Sequence, residues 1–412
     1  MVLLSALIKI IFVNYLMIFS YDFYPLQTQN SVLPYGTVLR SGAGSFYPVV
    51  KITEEPEKMT ILGKQEGWVE IKIVNGESGW ISENVLRRDR VESDYLKRLK
   101  ESKEGVKVSQ VVIVSAVKGF GDRYREAIVE GKGDILALDR QLITPQMWYD
   151  FVKRHYGSKG EKRWSGDRKL RRFTKPVHAS FLERELGLYI ATSLVSGKLI
   201  QDGKIEAYLS LIATALVRQS EAPNLSVRVY LFHSDRPAAY ATPNGMIFIS
   251  DELWKMVKNE AELAGLLGHE VAHIVHRHAA MELEKRKTEI SAEMAFAEVK
   301  HLTGLSQMEK RIENLALAIY DVVNRGYIDE YEKNADRLGS IYAYRAGWVA
   351  TEYKNLVERL SKHPAMEKDF FDPEFSLTDP FKERLDELTK LKSKIKKRKG
   401  RIVNSDEFRQ LR

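Results

Sequence analysis

The chain has 412 residues, of which 44% are hydrophobic and 29% charged, so most of it is expected to fold into two or three domains. It contains no cysteine, which excludes disulfide bonds, thiolate zinc sites and a cysteine nucleophile. The net charge of +8 is local in origin, since the segments 153–175 and 390–401 are strongly basic. We interpret them as a solvated loop and a solvated helix end; the alternative is contact with anionic lipid or nucleic acid. They contain no nucleic-acid-binding motif, and no nucleic acid is expected as a partner.

Residues 1–28 begin with the apolar run MVLLSALIKIIFVNYLMIFS, which predicts a signal peptide or a membrane anchor. A charged amino-terminal region and a small-x-small cleavage site are not evident, so cleavage and retention both stay open. No other run has the eighteen apolar residues that span a bilayer, so membrane contact is expected only through this segment, if it is retained. The protein is therefore expected to be exported, either periplasmic or membrane-anchored and facing the cell envelope.

Residues 33–90 show alternating stretches such as WVEIKIV, separated by turn signals such as SGAGS, KQEG and VNGESG. Together with the pair Gly79-Trp80 and with Trp68 upstream, this pattern resembles bacterial SH3-like domains, which are small barrels of envelope and wall-associated proteins. The resemblance implies an all-β barrel with a cell-envelope ligand as its partner. The alternative is a β-barrel without a known ligand, and no binding residues are assigned.

Three further regions follow from composition and periodicity. Residues 91–178 are predicted to form a charged, partly helical connector, and residues 391–412 a basic C-terminal tail. Between them, residues 179–390 carry apolar positions at helical spacing, with one β interruption. In that interruption, Asn244-Gly245 separates two alternating runs and predicts a tight β-hairpin, because both residues tolerate positive φ.

The segment GHEVAHIVHRH places four histidines within ten residues. On a helix, His269 and His273 project from one face about 6 Å apart along the axis and can bind a single tetrahedral zinc ion. Glu270 lies beside them and can reach a water molecule in the open position of the zinc, which is the HExxH arrangement. His276 lies about 10 Å from His269 along the axis, and His278 is expected to point elsewhere, so both are interpreted as structural or surface residues.

A catalytic zinc ion needs a third protein ligand. Ala279 stands where an HExxHxxGxxH motif would have its third histidine. Downstream, the helix-like GYIDEYEKNADRLG carries Glu332 and Asp336 four residues apart on one face. Glu332 can bind the metal while Asp336 accepts the outward N–H of a metal-bound histidine. The alternative is that both acids belong to an ordinary solvated helix face.

HExxH followed some sixty residues later by ExxAD resembles the zinc metalloprotease family that includes HtpX and the CAAX prenyl proteases, and more narrowly its soluble, exported branch typified by BepA and LoiP. The matching pieces are NEAELAGLLGHEVAHIVHRH, EYEKNADRLG and ATPNGMIFISDELW, within a resemblance that covers about half the chain. It implies an α+β fold, in which the SH3-like barrel precedes a mainly helical, zincin-like metallopeptidase domain with a short β-hairpin or sheet at the active site. The residues that it implies are the metal ligands His269, His273 and Glu332, the catalytic base Glu270, and Asp336 behind the ligands.

The sequence departs from this family in two places. Ala238-Ala239 replaces the usual Asn-Ala, so an amide that would contact substrate is missing. The usual late His-Pro and arginine appear as Asp379-Pro380 and Arg384, with one residue less between them. The group that stabilises the oxyanion is therefore not assigned, and Arg384 and Tyr327 are candidates.

These patterns predict a zinc-dependent endopeptidase, a hydrolase with one Zn²⁺ per chain that cleaves unfolded or misassembled envelope proteins. A zinc-activated water attacks the peptide bond, with Glu270 as general base. The segment Met246–Ser250 is expected to pair with an extended substrate by β-augmentation, and residues 281–324 are expected to form a lid. The alternative is an envelope-binding or chaperone-like protein with a latent zinc site.

Overall fold

The structure is a computed structural model, and it describes much of the chain in two compact units that divide between residues 89 and 90. The described residues are 31–34, 36–86, 116–117, 138, 141–157, 181–195, 197–285, 304–327, 329–366, 380–394 and 401–412. The predicted export segment lies outside them, as does most of the predicted connector. Within the described ranges, no helix combines the length and the apolar character needed to cross a bilayer.

The first unit is a six-stranded antiparallel sheet in the order β1-β4-β5-β6-β2-β3. Its strands are β1 Ser31–Leu33, β2 Val38–Arg40, β3 Val49–Ile52, β4 Glu57–Gln65, β5 Trp68–Ile73 and β6 Ser78–Ser82. A 3-10 turn at Glu83–Leu86 follows the last strand. This strand-rich unit confirms the predicted SH3-like region.

The alternation of buried and more exposed side chains along β5 shows why this sequence forms a half-buried sheet. Val69 and Ile71 are fully buried, whereas Lys72 between Ile71 and Ile73 is exposed. The inward side chains of the sheet form one apolar cluster: Leu33, Leu39, Met59, Val69, Ile71, Ile73 and Ile81.

The second unit is mainly helical with one small sheet, which confirms the predicted α+β class. Its helices are α1 Pro145–Tyr156, α2 Phe181–Val195, α3 Gly203–Arg218, α4 Asp251–Met256, α5 Glu260–Val275, α6 His278–Lys285, α7 Gly304–Arg325, α8 Asp329–Arg345, α9 Tyr353–Leu360, α10 Pro380–Lys394 and α11 Asp406–Leu411. Its strands are β7 Leu199–Ile200, β8 Arg228–Phe232, β9 Ala239–Ala241 and β10 Met246–Ser250.

The small sheet has the order β7-β8-β10-β9, with β10 parallel to β8 and antiparallel to β9. The predicted hairpin is confirmed: Gly245 has a φ of +89°, and its N–H donates to the carbonyl of Thr242 over 3.0 Å. The prediction that β10 pairs with substrate is wrong, because both edges of β10 are already paired within the sheet. Among the described residues, β9 is the outer strand on that side.

Asn259 caps the N-terminus of helix α5, because its side-chain oxygen accepts the N–H of Glu262 over 2.8 Å. All of its residues are buried, and it packs most extensively against α8. The two helices meet at a glycine: a Cβ on Gly339 would lie only 2.3 Å from the backbone nitrogen of His269. This close approach brings the first turns of α8 beside the histidines of α5.

Two other segments are packed within the second unit. The described residues of the expected lid lie in α6 and α7, and α7 packs against α2 and α6 and buries residues such as Ile312 and Ile319. Part of the expected basic tail, residues 391–412, is also packed: the carbonyl of Val403 accepts the N–H of Ala261 over 3.0 Å, and Phe408 is buried. The packing of these two segments cannot be read from the local sequence, because it depends on residues that are distant in the chain.

Candidate metal centre

Three side chains from two helices converge at one buried point. His269 and His273 lie one turn apart on α5, with 2.9 Å between their Nε2 atoms. Glu332, in the first turn of α8, places its two carboxylate oxygens 3.4 Å from Nε2 of His269 and 3.5 Å from Nε2 of His273. One ligand atom from each residue lies within 4.8 Å of the others, so the three predicted ligands are brought together.

The spacing of these atoms fits a metal ion. Four ligands at the usual zinc–nitrogen distance of ~2.0–2.1 Å in a tetrahedron are ~3.3 Å apart, close to the separations observed here. Both histidines are nearly inaccessible to solvent, and two imidazoles with one carboxylate are a donor set that binds divalent transition metals.

Asp336 fixes the orientation of the first histidine. Nδ1–H of His269 donates to Oδ1 of Asp336 over 2.8 Å, and this carboxylate is fully buried. The hydrogen on Nδ1 leaves Nε2 with its lone pair directed at His273 and Glu332, as a metal ligand requires. Asp336 therefore lies where the sequence predicted it, one turn beyond Glu332 and behind His269.

Arg384 crosses from α10 to the two carboxylates of α8. Its Nε and Nη2 donate to the two oxygens of Asp336 over 2.8 Å each, and its Nη1 lies 3.0 Å from Oε2 of Glu332. The same Nη2 donates to the hydroxyl of Tyr353 over 3.3 Å, and that hydroxyl donates to Asp336 over 3.1 Å. Arg384 was a candidate for the oxyanion-stabilising group; in this structure its guanidinium binds the site's own carboxylates.

The charges of the site interact strongly. Burial alone would raise the pKa of Glu332, but Arg384 and His269 outweigh it and lower that pKa to about 2. Burial alone would lower the pKa of His269, but the carboxylates of Glu332 and Asp336 outweigh it and raise that pKa to about 10. The metal-free site thus attracts a proton to an imidazole that must be neutral to bind a metal, so a metal cation would replace that proton.

Glu270 faces a cleft beside the histidines. Burial raises its pKa to about 7, which is the range in which a carboxyl group both accepts and releases protons. The cleft has a volume of about 190 Å³, and its lining includes Ala239, Tyr240, Leu266, Glu270, Tyr327, Tyr353, Phe381 and Arg384. Strand β9 forms one wall.

The outer edge of β9 is directed at this cleft. Ala238 and Thr242, at the two ends of the strand, make backbone hydrogen bonds of 2.9 Å to β10. By the alternation of an antiparallel ladder, Tyr240 also faces β10, whereas the N–H and C=O groups of Ala239 and Ala241 point away from it. Both alanines line the cleft, so their backbone groups are placed to meet a bound peptide.

The second histidine has a partner that the sequence did not reveal. His278 is fully buried, and its Nδ1 lies 2.9 Å from Nδ1 of His273, so the expectation that it points elsewhere is wrong. That expectation assumed one continuous helix, but α5 ends at Val275 and Arg277 adopts a φ of +56°. The chain turns back there, although no glycine or proline marks the turn.

Tyr327 and His276 also lie near the site and have separate roles. Tyr327, the second oxyanion candidate, stacks on the ring of His273 with 4.2 Å between centroids. Nε2 of His276 lies 3.3 Å from the hydroxyl of Tyr342, which donates to the partly buried Glu221 over 2.5 Å. His276 therefore belongs to a structural network, as expected.

Comparisons with known proteins agree with these features. Residues 204–392 match the model of peptidase family M48, and residues 36–87 match that of the bacterial SH3 domain. The beta-barrel assembly-enhancing protease of Yersinia pestis is 23% identical over 199 residues, or 47% of this chain and 40% of that protein.

Two other relatives show similar coverage. The beta-barrel assembly-enhancing protease of Escherichia coli (strain K12) is 23% identical over 229 residues, 55% of this chain and 46% of that protein. The mitochondrial metalloendopeptidase OMA1 of Schizosaccharomyces pombe is 25% identical over 186 residues, 45% of this chain and 49% of that protein. The chain spans less than half the length of each of these curated relatives.

Proposed function

We propose that this chain, which carries a peptidase family M48 domain, is a zinc-dependent endopeptidase acting on protein substrates. The observation that carries the proposal is the convergence of His269, His273 and Glu332 next to Glu270, at the wall of a cleft bounded by an open strand edge. The names of the relatives, which describe proteases and a metalloendopeptidase, support it.

Zinc is the metal that this donor set suits best among those used for peptide hydrolysis. When bound, Zn²⁺ would polarise the scissile carbonyl group and lower the pKa of a water molecule towards ~7. His269 and His273 would hold it through Nε2, and Glu332 through a carboxylate oxygen. Asp336 keeps the Nδ1 hydrogen of His269 in place while this happens.

Glu270 is the proton carrier in this proposal. A carboxylate oxygen of Glu270 accepts a proton from the attacking water and then delivers it to the nitrogen of the leaving amine. General acid–base catalysis of this kind contributes ~10²–10⁴-fold in rate.

The outer strand β9 binds the substrate backbone. An extended peptide can add to the edge of β9 that no described strand pairs with, through the main-chain groups of Ala239 and Ala241, in the mode of β-augmentation. Such pairing requires an extended chain, which a folded protein rarely offers. Unfolded or misassembled proteins are therefore the proposed substrates. We also propose export to the cell envelope, which the apolar segment 1–28 and the bacterial SH3 domain support.

One experiment tests this function against the alternative of an envelope-binding or chaperone-like protein. The full chain is purified, its zinc content is measured, and cleavage of unfolded casein is followed with the zinc-loaded and the chelator-treated protein. We expect one zinc ion per chain and cleavage that depends on it. A fully loaded zinc site without cleavage would favour the alternative, and the absence of metal binding would refute the zinc site itself.

A further inference from the structure

We propose that His278 is a positioning residue that fixes the tautomer and the ring orientation of His273, and thereby sets the affinity of the site for Zn²⁺. The inference rests on the proposed function, since it concerns the same metal site. It starts from a difference between the two histidine ligands: His269 has the carboxylate of Asp336 behind it, whereas His273 has a second imidazole.

The distance between the two Nδ1 atoms implies a hydrogen bond. At 2.9 Å, the nitrogens of His273 and His278 must share one hydrogen atom, because two lone pairs or two N–H groups would repel at that separation. His273 binds a metal through Nε2 only when its hydrogen is on Nδ1. His273 is then the donor and Nδ1 of His278 the acceptor, so His278 carries its own hydrogen on Nε2.

The structure holds His278 in this acceptor position. Its ring stacks on Tyr331, with 4.9 Å between centroids and 16° between planes, and meets the ring of His273 edge-on at 81°. The backbone turn at Arg277 is also anchored, since its guanidinium donates to the buried Glu183 over 2.6 Å. Rotation of the imidazole away from His273 would break its stack on Tyr331, and movement of the backbone that carries it would disturb the anchored turn at Arg277.

Within the described part of the chain, the other ring nitrogen of His278 adds no second hydrogen bond that could account for a histidine at this position. Its Nε2 is buried and has no hydrogen-bond partner among the described residues. The hydrogen bond to His273 is thus what distinguishes this imidazole from an apolar ring of the same size. If His278 only filled space, a leucine would serve equally well at the metal site.

Measured zinc affinity distinguishes a role of His278 in orienting His273 from a role in filling space. In the full chain, His278→Leu removes the acceptor and keeps the volume, whereas His278→Asn offers an amide oxygen near the position of Nδ1. Loss of a group that orients a metal-bound histidine lowers metal affinity by ~10–100-fold. We expect a loss of this size for His278→Leu and recovery of most of it in His278→Asn, measured by competition with a chromophoric chelator for Zn²⁺.

A matched control is His155→Leu. The ring of His155 is partly buried, lies distant in sequence from the site residues, and its Nε2 donates to the carbonyl of Ala346 over 2.9 Å. This substitution should lower the melting temperature of the metal-free protein and leave zinc affinity unchanged. If His278→Leu behaves in the same way, losing stability but not affinity, the inference is overturned while the proposed function stands.

A measurement on the unaltered protein covers the case in which His278→Leu fails to fold. Nitrogen-15 NMR of the histidine-labelled, zinc-loaded chain reports which ring nitrogen carries the hydrogen. We expect the Nδ1–H form for His273 and the Nε2–H form for His278. A hydrogen on Nδ1 of His278 would overturn the inference. Failure of the wild-type chain to bind Zn²⁺ would instead refute the proposed function, and the inference with it.

Discussion

Gly268 of α5 and Gly339 of α8 touch backbone to backbone: a Cβ added to Gly268 would lie 2.5 Å from the carbonyl oxygen of Gly339. No side chain fits at that distance, so the helices can cross this closely only because both residues are glycine. The crossing lies next to His269, and Asp336 precedes Gly339 on the same helix. The glycine pair therefore determines how far the carboxylates of α8 stand from the histidines of α5.

We accordingly predict that Gly268→Ala forces the two helices apart and weakens metal binding. A backbone clash of this kind destabilises by ~1–3 kcal/mol, and we expect zinc affinity to fall by at least tenfold. Thermal unfolding and chelator competition measure the two effects. The control is Gly203→Ala in α3, where an added Cβ meets nothing within 4 Å; it should leave the protein as stable as before or slightly more stable. Unchanged zinc affinity in Gly268→Ala would contradict the role of the crossing.

Glu270→Gln should separate metal binding from catalysis. The amide keeps the size of the side chain but cannot accept the proton of the attacking water, so we expect full zinc content and a fall in the rate of casein cleavage of ~10²–10⁴-fold. His269→Ala should instead lose both the zinc and the activity. Cleavage by Glu270→Gln at the wild-type rate would rule out Glu270 as the general base.

Arg384→Ala should damage the site without removing a ligand. It leaves the buried carboxylate of Asp336 and the partly buried carboxylate of Glu332 without their shared cation, and breaking a buried ion pair typically costs ~3–5 kcal/mol. The metal-free protein should unfold at lower denaturant concentration, and bound Zn²⁺ should restore part of the loss by supplying positive charge. Arg359→Ala is a control, since its guanidinium pairs with the buried Glu262. Arg359→Ala should also lower the stability of the metal-free protein, but added Zn²⁺ should stabilise this variant no more than it stabilises the wild type.

Strand β9 provides a kinetic prediction. Ala239→Pro removes an outward N–H while sparing the hydrogen bonds that Ala238 and Thr242 make to β10. The loss of one hydrogen bond to substrate, worth ~0.5–1.5 kcal/mol, should raise KM by ~2- to 10-fold and leave the melting temperature nearly unchanged. Steady-state kinetics on a fluorogenic peptide give the answer. An unaltered KM in a folded variant would argue against substrate pairing at this edge.

His155 makes stability depend on pH in a predictable direction. Burial lowers its pKa below the ordinary value of 6.5, and the hydrogen bond to the carbonyl of Ala346 only partly opposes this. Below about pH 6.5 the unfolded chain binds a proton at this position more readily than the folded protein does. Stability from the neutral imidazole is therefore complete above that pH and is lost as the pH falls.

Denaturant titrations above and below the ordinary histidine pKa test this prediction. The wild-type free energy of unfolding should decrease more steeply on acidification than that of His155→Leu, because the variant lacks this titrating group. Parallel pH dependences in the two proteins would show that His155 does not contribute.

The sequence alone determined the features that depend on neighbouring residues. The four-residue spacing of His269 and His273 on an apolar, well-capped helix determined that their rings share a face, and the same spacing aligned Glu332 with Asp336. The pair Asn244-Gly245 indicated a hairpin, and the turn does need a positive φ at Gly245, which few other residues accept. These predictions follow from helical period and turn chemistry, which act over a few residues.

Only the tertiary structure decided the rest. Pairing of β10 on both sides left β9 as the outer strand within the described part of the sheet, and hydrogen-bond partners in a sheet are selected by the whole topology. Arg384 reaches the carboxylates from a helix some fifty residues downstream, and His278 meets His273 through a turn at Arg277 that lacks a local signal. Each of these contacts is set by the packing of elements distant in the chain, which residue periodicity does not encode.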